Sequence, residues 1–201
     1  MNIEKLNNQI SEFCLASGFT FGGKTATAEN LAHTSKLIWE EFHEWEKETH
    51  QTKAAKEMAD ILYISLTESW QYGVKMESGS LWERINFKRL ISSILNAISV
   101  GYGLSFDLHQ LAYHAQKEIY ALGFDFEKAF DALQASNMSK FLTRKQDVEP
   151  SIFANLQLKN EDGSQRYKNV GYVEQGGIYA IKCLETGKIL KGIHYKECDL
   201  S

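Results

Sequence analysis

The sequence is short of the features that mark several protein classes. Its three cysteines, Cys14, Cys183 and Cys198, are odd in number and far apart, with no C-x-x-C pair. That spacing supplies no cysteine zinc site and suits a reducing compartment rather than a disulfide scaffold. The only proline is Pro150, so no proline interrupts the patterns that precede it. No apolar run reaches the ~18 residues that a spanning helix needs, so no membrane partner is expected. The opening stretch, MNIEKLNNQISEF, has no apolar core and no cleavage signal, which predicts a soluble, cytoplasmic protein. Charge of one sign is also missing: 22 basic residues stand against 26 acidic ones, for a net charge of −4. That balance argues against a protein built to grip nucleic acid, and no nucleic-acid partner is expected.

What is present is a core. Hydrophobic residues make up 43% of the 201 and aromatics 12%, enough for one globular domain with a small appendage. Apolar residues recur every three or four positions and predict helices over 2–16, 29–48, 53–73, 81–100, 105–121 and 125–136. Asp125 is placed to cap the last of these, and Gly101, Gly103 and Gly123 are placed as stops. Residues 17–28 form a Gly/Thr-rich loop; Gly22-Gly23-Lys24 lacks the spacing of a phosphate loop and reads as a turn.

After Lys140 the character changes. Residues 141–166 are polar, contain Pro150 and read as a linker. Two β-like runs, Lys168–Val173 and Ile178–Leu184, flank a Gln175-Gly176-Gly177 turn, and a third follows at Lys188–Leu190. The expected fold is mainly α, a helical bundle with a small C-terminal β hairpin or meander. Residues 1–140 would form the helical domain and 141–201 a linker with a β-rich extension.

The chemistry is concentrated in residues 37–64. Glu40-Glu41-x-x-Glu44 lies on one predicted helix and Glu57-x-x-Asp60 on the next, with His50-Gln51-Thr52 between the helices. A three-residue step returns each pair to one helical face. Glu57 falls inside the apolar stripe of Ile61 and Ile64, while Glu41 and Glu44 flank that of Ile38, Phe42 and Trp45. An antiparallel hairpin would bring the two acidic pairs face to face. Carboxylates crowded beside a core repel and raise each other's pKa, and a hard divalent cation with oxygen ligands relieves both effects.

Glu40-Glu41-x-x-Glu44, a gap of 12 residues and then Glu57-x-x-Asp60-Ile-Leu-Tyr resembles the signature of the all-α nucleoside triphosphate pyrophosphohydrolases, the MazG and phosphoribosyl-ATP pyrophosphohydrolase-like superfamily. Leu122–Phe130 followed by Ser136-Asn-Met-Ser-Lys140 is similar to the last-helix motif of its phage and bacterial branch. Gly187–Lys191 and Tyr195–Leu200 resemble that branch's C-terminal tail. The resemblance implies an all-α pyrophosphatase-like bundle that hydrolyses an NTP, by preference a dNTP, to the monophosphate and pyrophosphate. It implies Mg²⁺, or Mn²⁺ in its place, held by Glu41, Glu44, Glu57 and Asp60. It gives Glu40 the role of the base, Asn137 and Lys140 contact with the nucleotide substrate, and the chain a homodimeric assembly. The run from Asp60 to Asn137 and the segment 141–186 are both longer than in compact members.

Other readings stand beside this one. A phosphoribosyl-ATP or dUTP-type diphosphohydrolase could use the same helices. So could a metal-stabilised helical interaction module without turnover. Taken alone, Glu40 reads also as a surface acid, and Asn137 and Lys140 read better as residues of a helix C-terminus than as substrate contacts. Glu40-x-x-His43 half-matches a di-iron motif, but no second copy exists. Trp39, Trp45 and Trp70 read as core.

Overall fold

The computed structural model describes residues 2–76 and 104–200; the helix expected at 81–100 and its glycine stops lie outside them. The chain is mainly α-helical with one small antiparallel hairpin near its C-terminus. Among the described residues there are six α-helices: α1 (Ile3–Ala16), α2 (Ala28–Lys47), α3 (Gln51–Gln71), α4 (Leu104–Ala121), α5 (Phe126–Met138) and α6 (Val148–Leu156). No described helix is long and apolar enough to cross a membrane. The chain divides into two compact units.

The first unit comprises residues up to Ser11, Thr20–Leu133 and the last two residues. Its hub is α3, which is almost wholly buried from Met58 to Trp70. Helix α4 packs along it. The Tyr63 ring stacks on Phe130 of α5 at 5.7 Å, and the Trp70 indole N–H donates to Ser11 of α1 at 2.9 Å. Helices α1 and α5 are tied to each other through Asp131, which accepts from Lys5 Nζ at 2.6 Å and Gln9 Nε2 at 2.8 Å.

Helix α2 begins where Thr27 Oγ1 accepts the Asn30 N–H, an N-cap that satisfies one otherwise unpaired donor. It ends in a tight connection. Glu48 Oε1 accepts the N–H groups of Thr49 at 2.9 Å and His50 at 3.0 Å, which holds its carboxyl below the usual range. The short connection turns α3 back antiparallel to α2. On the facing sides Ile38, Phe42, Met58 and Ile61 are each buried to 2% exposure or less. Each contributes about 1.5–3 kcal/mol of burial free energy, which makes the hairpin a stable platform.

The loop before α2 crosses the end of α3. Gly22 and Gly73 both adopt positive φ, +67° and +84°, and approach so closely that a Cβ on Gly73 would stand 3.2 Å from the Gly22 Cα. A side chain at Gly73 would have to push the facing backbone back by a few tenths of an ångström, and the positive φ strains one at either position. It delivers Lys24 into a buried polar cluster. The Lys24 ammonium and the Thr34 hydroxyl both donate to the Glu68 carboxylate, Lys24 lies over the Tyr72 ring at 5.2 Å, and Glu68 is only 4% exposed. The sequence reading of Gly22-Gly23-Lys24 as a turn holds, and the turn anchors a lysine.

The second unit comprises Glu12–Phe19 and Gln134–Asp199, and so takes the last turns of α1 and α5. Strands β1 (Val170–Gln175) and β2 (Ile178–Cys183) pair antiparallel, Gln175 opposite Ile178. Gly176 and Gly177 form the two-residue turn at φ +59° and +80°, the conformation such hairpins require. The expected third run lies against β2 through a single bridge, Ile189 to Lys182, and forms no strand. Leu142, Val148, Tyr179, Ile181, Cys183 and Leu190 build a small core. No disulfide joins the three cysteines.

The stretch 141–166 is not an open linker: it holds a 3₁₀ turn, Lys145–Asp147, and then α6. Pro150 sits in the first turn of α6, where its missing N–H has no partner within the helix to lose.

The Lys24–Glu68 pair sets an expectation for stability. Glu68→Ala strands the ammonium in a buried place and should cost about 3–5 kcal/mol, read as a lower denaturant midpoint. Replacing both partners, Lys24→Met with Glu68→Met, should cost less than the single change, because no uncompensated charge remains. A double variant that loses the sum of Lys24→Met and Glu68→Met measured singly would show the pair is not coupled.

Candidate metal centre

Sequence dictates the centre through helical phase. Glu41 and Glu44 lie one turn apart near the end of α2, and Glu57 lies near the start of α3, so the hairpin sets them opposite each other. One carboxylate oxygen from each of Glu41, Glu44 and Glu57 lies within 4.8 Å of the others. Eleven residues further along α3, Glu68 faces Thr34, ten residues back along α2 from Glu44. The two contacts fix an antiparallel register.

The members differ in exposure. Glu44 is exposed, Glu41 half-buried, and the Glu57 side chain keeps 12% of its surface accessible. Glu57 Oε2 is buried with no hydrogen-bond partner. A buried carboxylate oxygen without a donor is costly, and an oxygen-seeking cation is the chemistry that fits it. Burial raises the Glu57 carboxyl above its ordinary range; Lys56 opposes this, and the charges of Asp60 and Glu44 add to it.

Four expected site residues are not members of this trio. Asp60, one turn on from Glu57, accepts from Lys56 Nζ at 3.0 Å, and the same ammonium lies 3.4 Å from Glu57 Oε1. Burial alone would lower the Lys56 pKa, but the Asp60 charge and hydrogen bond, then those of Glu57, outweigh it and hold the ammonium above its usual value. Glu40 is exposed and lies 3.9 Å from Lys36. Asn137 and Lys140 belong to the second unit and are joined to each other, the ammonium donating to Asn137 Oδ1. In the same unit Ser136 Oγ donates to the Lys196 carbonyl at 2.9 Å, and Ser139 Oγ accepts the Lys196 N–H at 2.8 Å. The Ser136–Lys140 motif and the C-terminal tail, separate in sequence, therefore meet.

Neighbouring aromatics keep structural roles. Trp70 is core, and the exposed His43 stacks on the half-buried Trp39 at 4.9 Å and lies 3.4 Å from Glu46. Lys56 was not singled out by the sequence reading, although its four-residue spacing to Asp60 is the signal of a helical ion pair.

A raised folded-state pKa contributes stability below the unfolded value and loses it as pH rises through the folded one. Glu57 therefore stabilises the protein as a neutral acid, and its ionisation works against folding near neutral pH. In chelator at neutral pH, Glu57→Gln should melt at or above the wild-type temperature, by ~2–4 °C for each kcal/mol of relieved repulsion. The difference should close as pH falls toward 4.5, the ordinary carboxyl value. Thermal melting in chelator across that window checks it; a variant less stable at neutral pH would mean the ionised carboxylate holds the hairpin together.

No protein-family model matches this sequence, and neither a curated protein nor a solved structure is detectably similar to it.

Proposed function

We propose that the protein is a Mg²⁺-dependent nucleotide pyrophosphohydrolase, cleaving a nucleoside triphosphate, by preference a deoxynucleotide, to the monophosphate and pyrophosphate. The observation that carries the reading is the trio Glu41, Glu44 and Glu57, with oxygens within 4.8 Å of one another and a bare buried oxygen on Glu57. Their donor set is all oxygen and anionic, which suits Mg²⁺ or Mn²⁺ rather than a softer ion. Asp60, one turn away on α3, would complete the set as a fourth ligand. Bound Mg²⁺ would supply positive charge against the phosphate oxygens.

The chain's own residues account for the remaining chemistry. Water adds to a phosphorus of the triphosphate, the bridging P–O bond breaks, and pyrophosphate leaves. A carboxylate must take the water's proton; the family resemblance gives that role to Glu40, which is exposed and next in sequence to Glu41. The substrate-contact role of Asn137 and Lys140, and the homodimeric assembly, rest on the family resemblance alone.

Incubation with Mg²⁺ and a panel of NTPs and dNTPs should release pyrophosphate and the monophosphate, fastest from deoxynucleotides. Glu40→Gln should lower kcat by ~10²–10⁴-fold, the usual worth of a general base, with Mg²⁺ binding unchanged. Calorimetry and a pyrophosphate assay on the same samples read both. Mg²⁺ binding without turnover of any nucleotide would replace this reading with that of a metal-stabilised interaction module.

A further inference from the structure

We infer that Lys56 is the resident counter-ion of the acidic centre, holding Asp60 outside the trio of Glu41, Glu44 and Glu57 until a divalent cation displaces it. The inference rests on the metal reading of that centre and concerns what occupies it beforehand. Lys56 precedes Glu57 by one residue and Asp60 by four, so its flexible stem reaches both carboxylates from the same turn of α3. Its ammonium stands 3.0 Å from Asp60 Oδ2 and 3.4 Å from Glu57 Oε1.

The division of Glu57's two oxygens points the same way. Oε1 faces Lys56, while Oε2 is buried and bare. The lysine thus neutralises one edge of the carboxylate and leaves the other for a ligand. A divalent cation drawing on both Glu57 and Asp60 would stand within a few ångströms of this ammonium. Two cations at that distance repel, so full coordination requires the ammonium to leave. The exit is open, because 34% of the Lys56 side chain is exposed and its stem is flexible. Released, Lys56 frees Asp60 to turn toward the trio as the fourth ligand.

Competition of this kind lowers apparent metal affinity and keeps the metal-free hairpin folded. Lys56→Met, which keeps the stem and removes the charge, should therefore melt lower than wild type in chelator. It should also bind Mg²⁺ about tenfold more tightly by calorimetry, the order expected from removing one nearby like charge. A lysine with a purely structural role would lower the melting temperature and leave the affinity unmoved. Unchanged or weaker Mg²⁺ binding in Lys56→Met would overturn the inference while the metal reading stands. Absence of Mg²⁺ binding in wild type and variant alike would overturn both. Lys56→Gln should shift both readouts in the same directions, and it carries the same test where the methionine variant does not fold.

Discussion

Burying a carboxylate beside an apolar core is unfavourable unless something answers its charge, and α3 does this twice on one face. Glu68 is answered from within the fold: Lys24 and Thr34 both donate to it, and the Gly22–Gly73 crossing brings the lysine there. Glu57 is answered only in part, by a neighbour on its own helix, and one of its oxygens stays bare. The same electrostatic problem thus has a closed solution at one end of the hairpin and an open one at the other. A closed ion pair fixes geometry and is costly to break from one side; an open one is where a ligand from outside can bind.

The α2–α3 hairpin is what turns a sequence pattern into a site. Neither helix alone supplies all three carboxylates of the trio. The tight connection at Glu48–His50 and the buried Phe42, Met58 and Ile61 hold the two acidic stretches opposite each other, so packing supplies the geometry that charge repulsion would otherwise undo. The second unit is organised differently. Its small core and hydrogen-bonded tail depend on backbone pairing, as where Leu142 and Tyr179 exchange N–H···O bonds of 2.9 and 2.8 Å.

Much of this was legible in the sequence, for identifiable reasons. Helices α1 to α5 carry apolar residues at regular helical spacing, Asp125 caps α5 through the Lys128 N–H at 3.1 Å, and two adjacent glycines mark the hairpin turn. The placement of Glu41, Glu44 and Glu57 followed from helical phase. Helix α6 was missed because it is only nine residues long, carries Pro150 and leaves Phe153 66% exposed, so no apolar stripe announces it. Asp60 shares the right turn with Glu57, but periodicity does not show that Lys56 reaches it first. Glu68 carries no local signal: its buried pairing is with a lysine 44 positions away, a distance that local pattern does not span.

The interval from Glu57 to Glu68 is eleven residues, very nearly three whole turns of an α-helix. It works as a ruler. An insertion or deletion of a single residue inside it would swing one carboxylate by about 100° relative to the other. Either Glu68 would be torn from Lys24 or Glu57 from Glu41 and Glu44, and no adjustment of the flanking loops could restore both. The stretch from Glu57 to Glu68 should therefore keep its count between relatives of this chain even where its residues change.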